Sequence, residues 1–322
     1  MNHPILTGTL ITFLGITGCS LLHAQRAELA AERPDSVIFY SPDTQEREIV
    51  DIDDPYDFID EADPIESIDD SYLTTADYNF ENPGMFSNAG LFMREKTGLR
   101  QYKDKRIVLL TITTNQKETY MCSGAMVGKY AVLTAAHCLE SPVAITIYAG
   151  GYPSSLKASA TKVTYVQTIK KGIFSVKADL GIVYLDRPLG NQTGYFGAAA
   201  PTLAMGDTVF SSGFPSSLSL QYPWLSIGNV IADHDIPKPT INAGSFYFTA
   251  YAEPGMSGSP VFNTGDVTFI VAVQSSTSVI SSVASGLGVI PTVIRKARQQ
   301  TPAQNINEKI FLDNDSPSYH EI

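Results

Sequence analysis

The stretch LTAAHC at residues 133–138 decides the fold. It is a short apolar run, typical of a β-strand, that ends on a histidine and a cysteine. Two further stretches work with it: DLGIVYL at residues 179–185, where a carboxylate opens an apolar strand, and GMSGSP at residues 255–260, where glycines flank a serine. The chain therefore carries an imidazole, a carboxylate and a hydroxyl in that order.

These three side chains are chemically complementary. A serine hydroxyl is a poor nucleophile at neutral pH and needs an adjacent base to take its proton. His137 is a candidate base for Ser257, and a buried Asp179 would hold the imidazole tautomer and stabilise the imidazolium that forms. The backbone N–H groups of Gly255 and Ser257 are the candidate donors to the oxyanion of a tetrahedral intermediate. The pattern predicts nucleophilic catalysis.

The supply of histidines limits the choice of general base. Of five histidines, His3 and His23 lie in or beside an N-terminal apolar segment and His320 lies near the C-terminus, which leaves His137 and His234 in the body of the chain. We expect His234, within the sequence DHD, on a solvated loop rather than in a metal site. No H-E-x-x-H or paired C-x-x-C pattern occurs, so we predict no catalytic metal and no cofactor. A G-x-S-x-G elbow is also absent, which argues against an α/β-hydrolase.

Composition excludes several classes of protein. Of 322 residues, 43% are hydrophobic and 17% are charged, which is enough apolar material for a sizeable core. The net charge of −11 argues against nucleic acid as a partner, since phosphate binding needs a basic surface. From residue 107 onward, short β-type runs alternate with turn residues and predict an all-β fold, with helical periodicity only at residues 290–299. Residues 301–322 read as a polar tail.

The acidity is concentrated in one segment. Residues 26–82 hold 18 of the 33 acidic residues and only 3 basic ones. Such a composition cannot bury itself well, and we predict that residues 26–96 are largely disordered in isolation. Two interpretations stay open: a pro-segment that inhibits the slightly basic remainder until it is cut away, or a spacer that holds the domain off a membrane anchor. We favour the pro-segment.

Residues 1–25 are typical of an export signal. Residues 5–18 form an apolar stretch of fourteen residues, too short for a membrane span and suited to a signal-peptide core. The sequence ITGC at residues 16–19 is similar to the lipobox of bacterial lipoproteins, in which Cys19 would be lipidated. Cleavage by an ordinary signal peptidase is the alternative. Either route predicts a secreted or cell-envelope protein.

Cysteine usage agrees with export. Of three cysteines, Cys19 belongs to the signal, so Cys122 and Cys138 remain as a possible disulfide pair. An oxidising compartment would let them close a short loop. Two buried free thiols are the alternative.

Together these motifs resemble the chymotrypsin-like serine peptidases. TAAHC matches that family's histidine motif, DLGIVYL its aspartate strand and GMSGSP its GDSGGP serine turn. CSGAMVG at residues 122–128 matches the strand whose cysteine is bonded to the one after the histidine, and GLGVIPTVIRKARQ at residues 286–299 resembles the last strand and C-terminal helix. The resemblance covers about residues 97–300. The G-S-P ending and the single disulfide are closest in style to the bacterial V8-like glutamyl endopeptidases.

The resemblance implies a fold and an activity. The fold is a double six-stranded β-barrel of the chymotrypsin type with a C-terminal helix, and its site lies in the cleft between the barrels. The activity is that of a serine endopeptidase on protein or peptide substrates, with His137, Asp179 and Ser257 as the triad and Gly255 and Ser257 as the oxyanion donors. The rival hypothesis is a surface protein that kept the fold as a catalytically silent binding module.

The chain departs from the family in two ways that bear on maturation. Met256 stands where trypsin-type zymogens carry the aspartate that pairs with a freshly cut α-amino group, so that salt bridge cannot form. Arg106 and Ile107 resemble an activation site, but a cut there would sever the first long strand. We expect any maturation cut earlier, near the basic residues Arg94, Lys96 or Arg100.

Substrate specificity is the least determined property. Tyr251 stands where trypsin-like enzymes carry an aspartate, which disfavours cleavage after Lys or Arg. Gln274 aligns with the histidine that reads the substrate carboxylate in glutamyl endopeptidases, and a glutamine can donate a hydrogen bond but brings no charge. We expect four residues to line the pocket: Tyr251, Gln274, Ser275 and Thr277.

Overall fold

In the part of the chain that the structure describes, four short strands precede the main body of the fold. The computed structural model describes residues 36–51, 58–59, 99–170, 173–200, 203–231, 245–263, 269–277 and 282–300. The early strands are β1 (Ser36–Ser41), β2 (Glu46–Asp51), β3 (Phe58–Ile59) and β4 (Arg100–Gln101).

Six strands close into a first antiparallel barrel. They are β5 (Ile107–Thr114), β6 (Thr119–Gly128), β7 (Ala131–Thr134), β8 (Pro142–Ala149), β9 (Lys157–Lys170) and β10 (Ile173–Leu185). Their order is β10-β7-β6-β5-β8-β9, and pairing of β9 with β10 closes the sheet. The described side chains of β5, β6 and β7 carry long buried apolar runs because closure leaves no free edge and fills the interior.

A second barrel follows along the chain. After β11 (Gly197–Ala199), its six strands are β12 (Thr208–Gly213), β13 (Trp224–Ile231), β14 (Phe246–Phe248), β15 (Pro260–Asn263), β16 (Phe269–Thr277) and β17 (Ser282–Ser285). The order is β15-β12-β13-β14-β17-β16, and the β15–β16 pairing closes it. β11 pairs in parallel with β16, β3 pairs with β11, and β4 pairs with β13. The predicted all-β double barrel is confirmed.

Helical structure is sparse in the described part of the chain. A one-turn helix α1 (Gly190–Thr193) follows the first barrel, and α2 (Ile290–Gln299) follows the second. The bounds of α2 match the predicted C-terminal helix. Pro291 stands in its first turn, where its missing N–H costs nothing. Among the described residues, no helix is long and apolar enough to cross a membrane.

One continuous apolar cluster joins the two barrels. Leu110, Met126 and Leu133 of the first barrel belong to it together with Phe262 and Val273 of the second, and all five are fully buried. Close packing of this kind resists displacement of one barrel against the other. The relative positions of side chains at the barrel junction are therefore fixed.

Residues 36–51 differ from the predicted disorder of residues 26–96. β1 and β2 form an antiparallel hairpin, and β1 also pairs with β9 of the first barrel. Val37, Ile38 and Phe39 are buried. The acidic composition of the whole segment led to the prediction of disorder, although the segment contains the short apolar run at residues 37–39. This run is buried because β1 pairs with β9, more than a hundred residues away. Residues 1–35, 60–98 and 301–322, which include the predicted signal and polar tail, lie outside the described residues.

Candidate functional site

His137 lies at the mouth of the first barrel, directly after β7. A single 3₁₀ turn, Ala136–Leu139, interrupts the strand direction and carries the histidine. β10 pairs with β7 so that Gly181 faces Thr134, which brings Asp179 alongside this turn. The His137 side chain is 41% exposed and that of Asp179 is 20% exposed. The ring is thus open to a substrate while the carboxylate is largely covered.

Asp179 holds His137 through two hydrogen bonds. His137 Nδ1 lies 2.7 Å from Asp179 Oδ2, and the His137 backbone N–H donates to Asp179 Oδ1 at 2.9 Å. With an ionised carboxylate as acceptor, Nδ1 carries the proton. Nε2 is then the ring nitrogen that can accept a proton.

Ser275 completes the surroundings of this carboxylate. Its hydroxyl donates to Asp179 Oδ2 at 2.5 Å, from β16 of the second barrel. Three donors therefore converge on one carboxylate: two from His137 and one from Ser275. Hydrogen bonds to the charged form stabilise it, so the pair is fixed from both barrels.

The pKa values of the pair follow from this arrangement. Desolvation by itself raises the pKa of Asp179, but the hydrogen bonds and charge of His137, together with the Ser275 hydroxyl, outweigh it and hold that pKa below its ordinary value. Desolvation lowers the pKa of His137, yet the hydrogen bond and charge of Asp179, aided by Glu140, raise it above 6.5. The carboxylate stays ionised and the imidazole is a stronger base than a free histidine.

Ser257 lies in a tight turn between β14 and β15. Gly255 has φ +94°, and a Cβ there would lie 2.4 Å from the Phe214 carbonyl oxygen. Gly258 has φ +85°, and a Cβ there would lie 2.1 Å from the Ser123 carbonyl oxygen. Only glycine fits both positions, because each combines a left-handed backbone with close backbone packing.

Two backbone donors in this turn are free. Among the described residues, neither the Gly255 N–H nor the Ser257 N–H has an acceptor. The neighbouring Pro254 carbonyl accepts a hydrogen bond from the Ser216 N–H at 2.9 Å, which fixes the peptide plane that contains the Gly255 N–H. Paired N–H groups held in this way are suited to bind a developing oxyanion.

Ser123 of β6 ties the first barrel to this turn. Its N–H donates to the Ser257 carbonyl at 2.7 Å and its hydroxyl donates to the Gly255 carbonyl at 2.7 Å. The same hydroxyl accepts the Phe214 N–H at 2.8 Å. Ser123 is fully buried, so these bonds are shielded from water.

A disulfide joins β6 to the histidine turn. Cys122 and Cys138 are bonded, with their Cα atoms 6.2 Å apart, so the pair left open by the sequence is a disulfide. Cys138 Sγ lies 3.8 Å from His137 Nε2 and 3.8 Å from the Ser257 carbonyl oxygen. One sulfur atom thus contacts both the imidazole and the serine turn. Among the described residues, the Ser257 hydroxyl itself has no hydrogen-bond partner.

Cys122, His137 and Cys138 form a cluster of possible metal ligands. One nitrogen or sulfur atom of each residue lies within 4.8 Å of those of the other two. Both sulfurs belong to the disulfide, however, and the thiolate is the form of cysteine that ligates metals. The donor set of this structure does not fit a metal site.

Met256 is completely buried beside the serine. A thioether fills this space without carrying a charge. Ile107, the residue that would follow an activation cut after Arg106, begins β5 and is fully buried. A cut there would fall at the start of this core strand and not within it, so the prediction that it would sever the strand is wrong.

The four predicted pocket residues have different surroundings. The Tyr251 hydroxyl donates to Glu253 Oε2. Gln274 is buried in β16, and its Oε1 accepts a 2.7 Å hydrogen bond from the Ser211 hydroxyl. The Ser275 hydroxyl is directed to Asp179 instead, and the Thr277 side chain lies outside the described residues.

Sequence reasoning missed two positioning groups. Ser123 follows Cys122 directly, so the CSG motif marked its strand without indicating that its hydroxyl reaches Gly255, 132 residues away. Ser275 was expected in the pocket, and no local signal separates that role from a bond to Asp179. The predicted Cys19 and His234 lie outside the described residues.

Comparison with known proteins agrees with this geometry. The family model described as trypsin matches residues 98–296. A glutamyl endopeptidase from Bacillus licheniformis is 28% identical over 150 residues, which cover 44% of this chain and 45% of that protein. The match thus spans less than half the length of this curated relative.

Two solved structures are also similar. HL collagenase is 15% identical, with a TM-score of 0.50, and the match covers 63% of this chain and 99% of that one. A glutamyl endopeptidase in complex with MPD is 19% identical, with a TM-score of 0.49 and coverage of 63% and 97%. At this identity the HL collagenase likeness shows the double-barrel fold alone.

Proposed function

The chain belongs to the trypsin family, and on that premise we propose that it is an exported serine endopeptidase that uses Ser257 as nucleophile. The observation that carries the proposal is the Asp179–His137 pair, fixed at 2.7 Å beside a glycine-flanked serine turn with two unpaired N–H groups. Base, nucleophile and oxyanion donors are thus gathered at one junction between two barrels.

The proposed reaction has two halves. Ser257 Oγ attacks the peptide carbonyl carbon while His137 Nε2 takes the hydroxyl proton. The C–N bond then breaks, and the imidazolium passes that proton to the leaving amine, which leaves an ester on Ser257. Water attacks this acyl-enzyme with His137 again as base, and the ester bond breaks to free the acid and regenerate Ser257.

The surrounding groups act on the charges that develop. Asp179 orients the His137 ring. Its negative charge and its hydrogen bond raise the pKa of His137 and so stabilise the imidazolium. The Gly255 and Ser257 N–H groups donate to the oxyanion, whose charge exists only in the tetrahedral state. The bond from Ser257 Oγ to His137 Nε2 forms when substrate binds, as catalytic hydrogen bonds often tighten only in the complex.

We propose a P1 side chain that ends in a hydrogen-bond acceptor. The name of the Bacillus licheniformis relative indicates glutamyl specificity, and Gln274 stands where the sequence places the reader of that carboxylate. The Ser211 hydroxyl engages Gln274 Oε1, which leaves the amide N–H groups as donors. A neutral donor does not favour a carboxylate over a carboxamide by charge, so we propose that both Glu and Gln are accepted.

Export and maturation complete the proposal. We propose that residues 1–25 direct the chain out of the cytoplasm. If the lipobox is processed, Cys19 is the site of lipidation. We also propose that the exported product is a proenzyme. Disulfide formation between Cys122 and Cys138 favours an oxidising compartment. Residues before the barrels would act as an intramolecular inhibitor until a cut near Arg94, Lys96 or Arg100.

The direct test is hydrolysis of an unstructured protein such as casein by the exported protein and by Ser257→Ala, each assayed before and after limited proteolysis. We expect cleavage that is sensitive to the serine change and unaffected by metal chelators. Mass spectrometry of rapidly quenched p-nitrophenyl ester reactions should show an acyl group on the peptide that contains Ser257. Equal casein hydrolysis by both proteins would overturn the proposal.

A further inference from the structure

The N-terminal hairpin β1–β2 pairs with an edge of the first barrel that no other strand of the described residues covers. β8 pairs with β9 only at Lys157, Ala158 and Ser159, whereas β1 pairs with β9 over residues 165–169. Because β10 pairs along the other edge of β9, β1 continues the sheet where β8 has left it. Without the hairpin, this stretch of β9 would present unpaired backbone groups.

Apolar burial anchors the hairpin on both of its faces. Side chains alternate along a strand, so Val37 and Phe39 point to one face and Ile38 to the other, yet all three are buried. Val37 and Phe39 belong to the same apolar cluster as Val166 of β9 and the barrel interior. Tyr40 stacks on Tyr165 with ring centroids 6.3 Å apart.

Charge contributes little to this attachment. The hairpin carries four acidic residues and one arginine, and its described link to the C-terminal helix is the Glu48–Lys296 ion pair at 2.5 Å. Glu48 is 52% exposed, so solvent screens the pair. Ile49, on the outer strand, is 61% exposed and makes no comparable burial.

We infer that residues 36–51 are a permanent, non-covalently held part of the mature protein rather than a segment released by maturation. A cut between β2 and β4 would give a two-chain protein in which the hairpin keeps its place on β9. Inhibition by the N-terminal segment, where it operates, would then be relieved by freeing residues after Asp51 while the hairpin stays. The inference does not depend on catalysis by Ser257.

The test uses the exported protein with Ser257→Ala, so that it cannot cut itself, and a recognition sequence for an added site-specific peptidase inserted between Asp53 and Asp54. This position precedes β3, so the hairpin fragment lacks the strand that pairs with β11. After cutting, the two pieces are separated by size exclusion and identified by intact mass. We expect the hairpin fragment to co-elute with the body in 1 M NaCl and to separate only in denaturant. A fragment that elutes alone from a still-folded body in native buffer would overturn the inference.

Three variants of the same cut protein identify the anchor. Phe39→Ala should release at least half of the fragment, because it empties a buried position, whereas Ile49→Ala and Lys296→Gln should release less than a tenth. Deuterium uptake at residues 165–169, measured before the cut, shows whether Phe39→Ala still folds and pairs. Equal retention in Phe39→Ala and Ile49→Ala, with β9 protected in both, would contradict apolar anchoring.

Discussion

The Ser123 hydroxyl donates a 2.7 Å hydrogen bond to the Gly255 carbonyl, across the junction of the two barrels. The bond fixes the peptide that follows Gly255, just as Ser216 fixes the one that precedes it. The backbone donors proposed for the oxyanion thus depend on a side chain of the other barrel. β6 of the first barrel and the serine turn are therefore joined directly.

Removal of this hydroxyl should affect the transition state more than substrate binding. We predict that Ser123→Ala lowers kcat by about 10–100-fold with KM little changed, because a small displacement of an oxyanion donor is costly. Thr193→Val is the matched control: its buried hydroxyl donates to the Gly194 carbonyl at 2.7 Å and to the Leu189 carbonyl at 3.3 Å, and neither partner belongs to the candidate site. Both variants should lose about 1–3 kcal/mol of stability. A kcat loss in Thr193→Val equal to that in Ser123→Ala would reduce Ser123 to a structural role.

The pH dependence of activity should report the Asp179–His137 pair. His137 must be neutral to accept a proton, and its pKa is raised above 6.5 by Asp179, so the acidic limb of kcat/KM should have its midpoint above 6.5. In Asp179→Asn the raising influence is lost and desolvation remains, so the midpoint should move to lower pH. We also expect kcat to fall by about 10³–10⁴-fold.

Asp186→Asn is the control for this pH profile. Asp186 follows β10 directly, and its carboxylate accepts hydrogen bonds from the Ser159 N–H and the Arg187 side chain rather than from His137. The acidic limb of the kcat/KM profile of Asp186→Asn should have the same midpoint as that of the unchanged protein. An Asp179→Asn profile with the midpoint unmoved or raised would contradict the assigned pairing.

The disulfide should contribute to stability through the loop it closes. Cys122 and Cys138 are 16 residues apart, and for a loop of this size the chain-entropy model gives about 3 kcal/mol. We predict that Cys122→Ala with Cys138→Ala lowers the unfolding free energy by about this amount in guanidinium titrations. A reductant should lower the transition midpoint of the unchanged protein and leave that of the double variant in place. Coincident midpoints for all samples would refute the prediction.

Substrate preference should depend on Gln274. We predict that fluorogenic peptides with Glu or Gln at P1 give kcat/KM values within about tenfold of each other and above those with Lys or Arg, since the proposed donor is neutral. Gln274→Leu should lower kcat/KM for both by about 10–100-fold, because the substrate acceptor loses its donor. Faster cleavage after Lys or Arg than after Glu and Gln would rule out this pocket assignment.

Much of the body of the fold could be predicted from sequence because its signals are local. The run LGIVYL lies at the apolar end of β10. The run LTAAHC contains the end of β7 and the start of the histidine turn, and residues 290–299 form the predicted helix. Their apolar pattern and turn residues act over short distances. The resemblance then supplied how the strands join.

What the sequence did not reveal depends on distant contacts. The hairpin of residues 36–51 lies in an acid-rich segment, and its order comes from pairing with β9 rather than from its own composition. Ser275 and Asp179 are 96 residues apart, so no spacing rule connects them. Serine is also common in turns and strands that have no part in a functional site. The sequence alone therefore does not distinguish the serines whose hydroxyls position site residues.

The most direct measurement is labelling of the exported protein by a fluorophosphonate probe, before and after limited proteolysis, beside Ser257→Ala. Fluorophosphonates react with a serine that is activated by a base and supported by an oxyanion site. We predict labelling that requires Ser257, and labelling that increases after proteolysis if the N-terminal segment inhibits. Absence of labelling in both states, from a folded protein with its disulfide intact, would contradict a serine peptidase and favour a silent binding module.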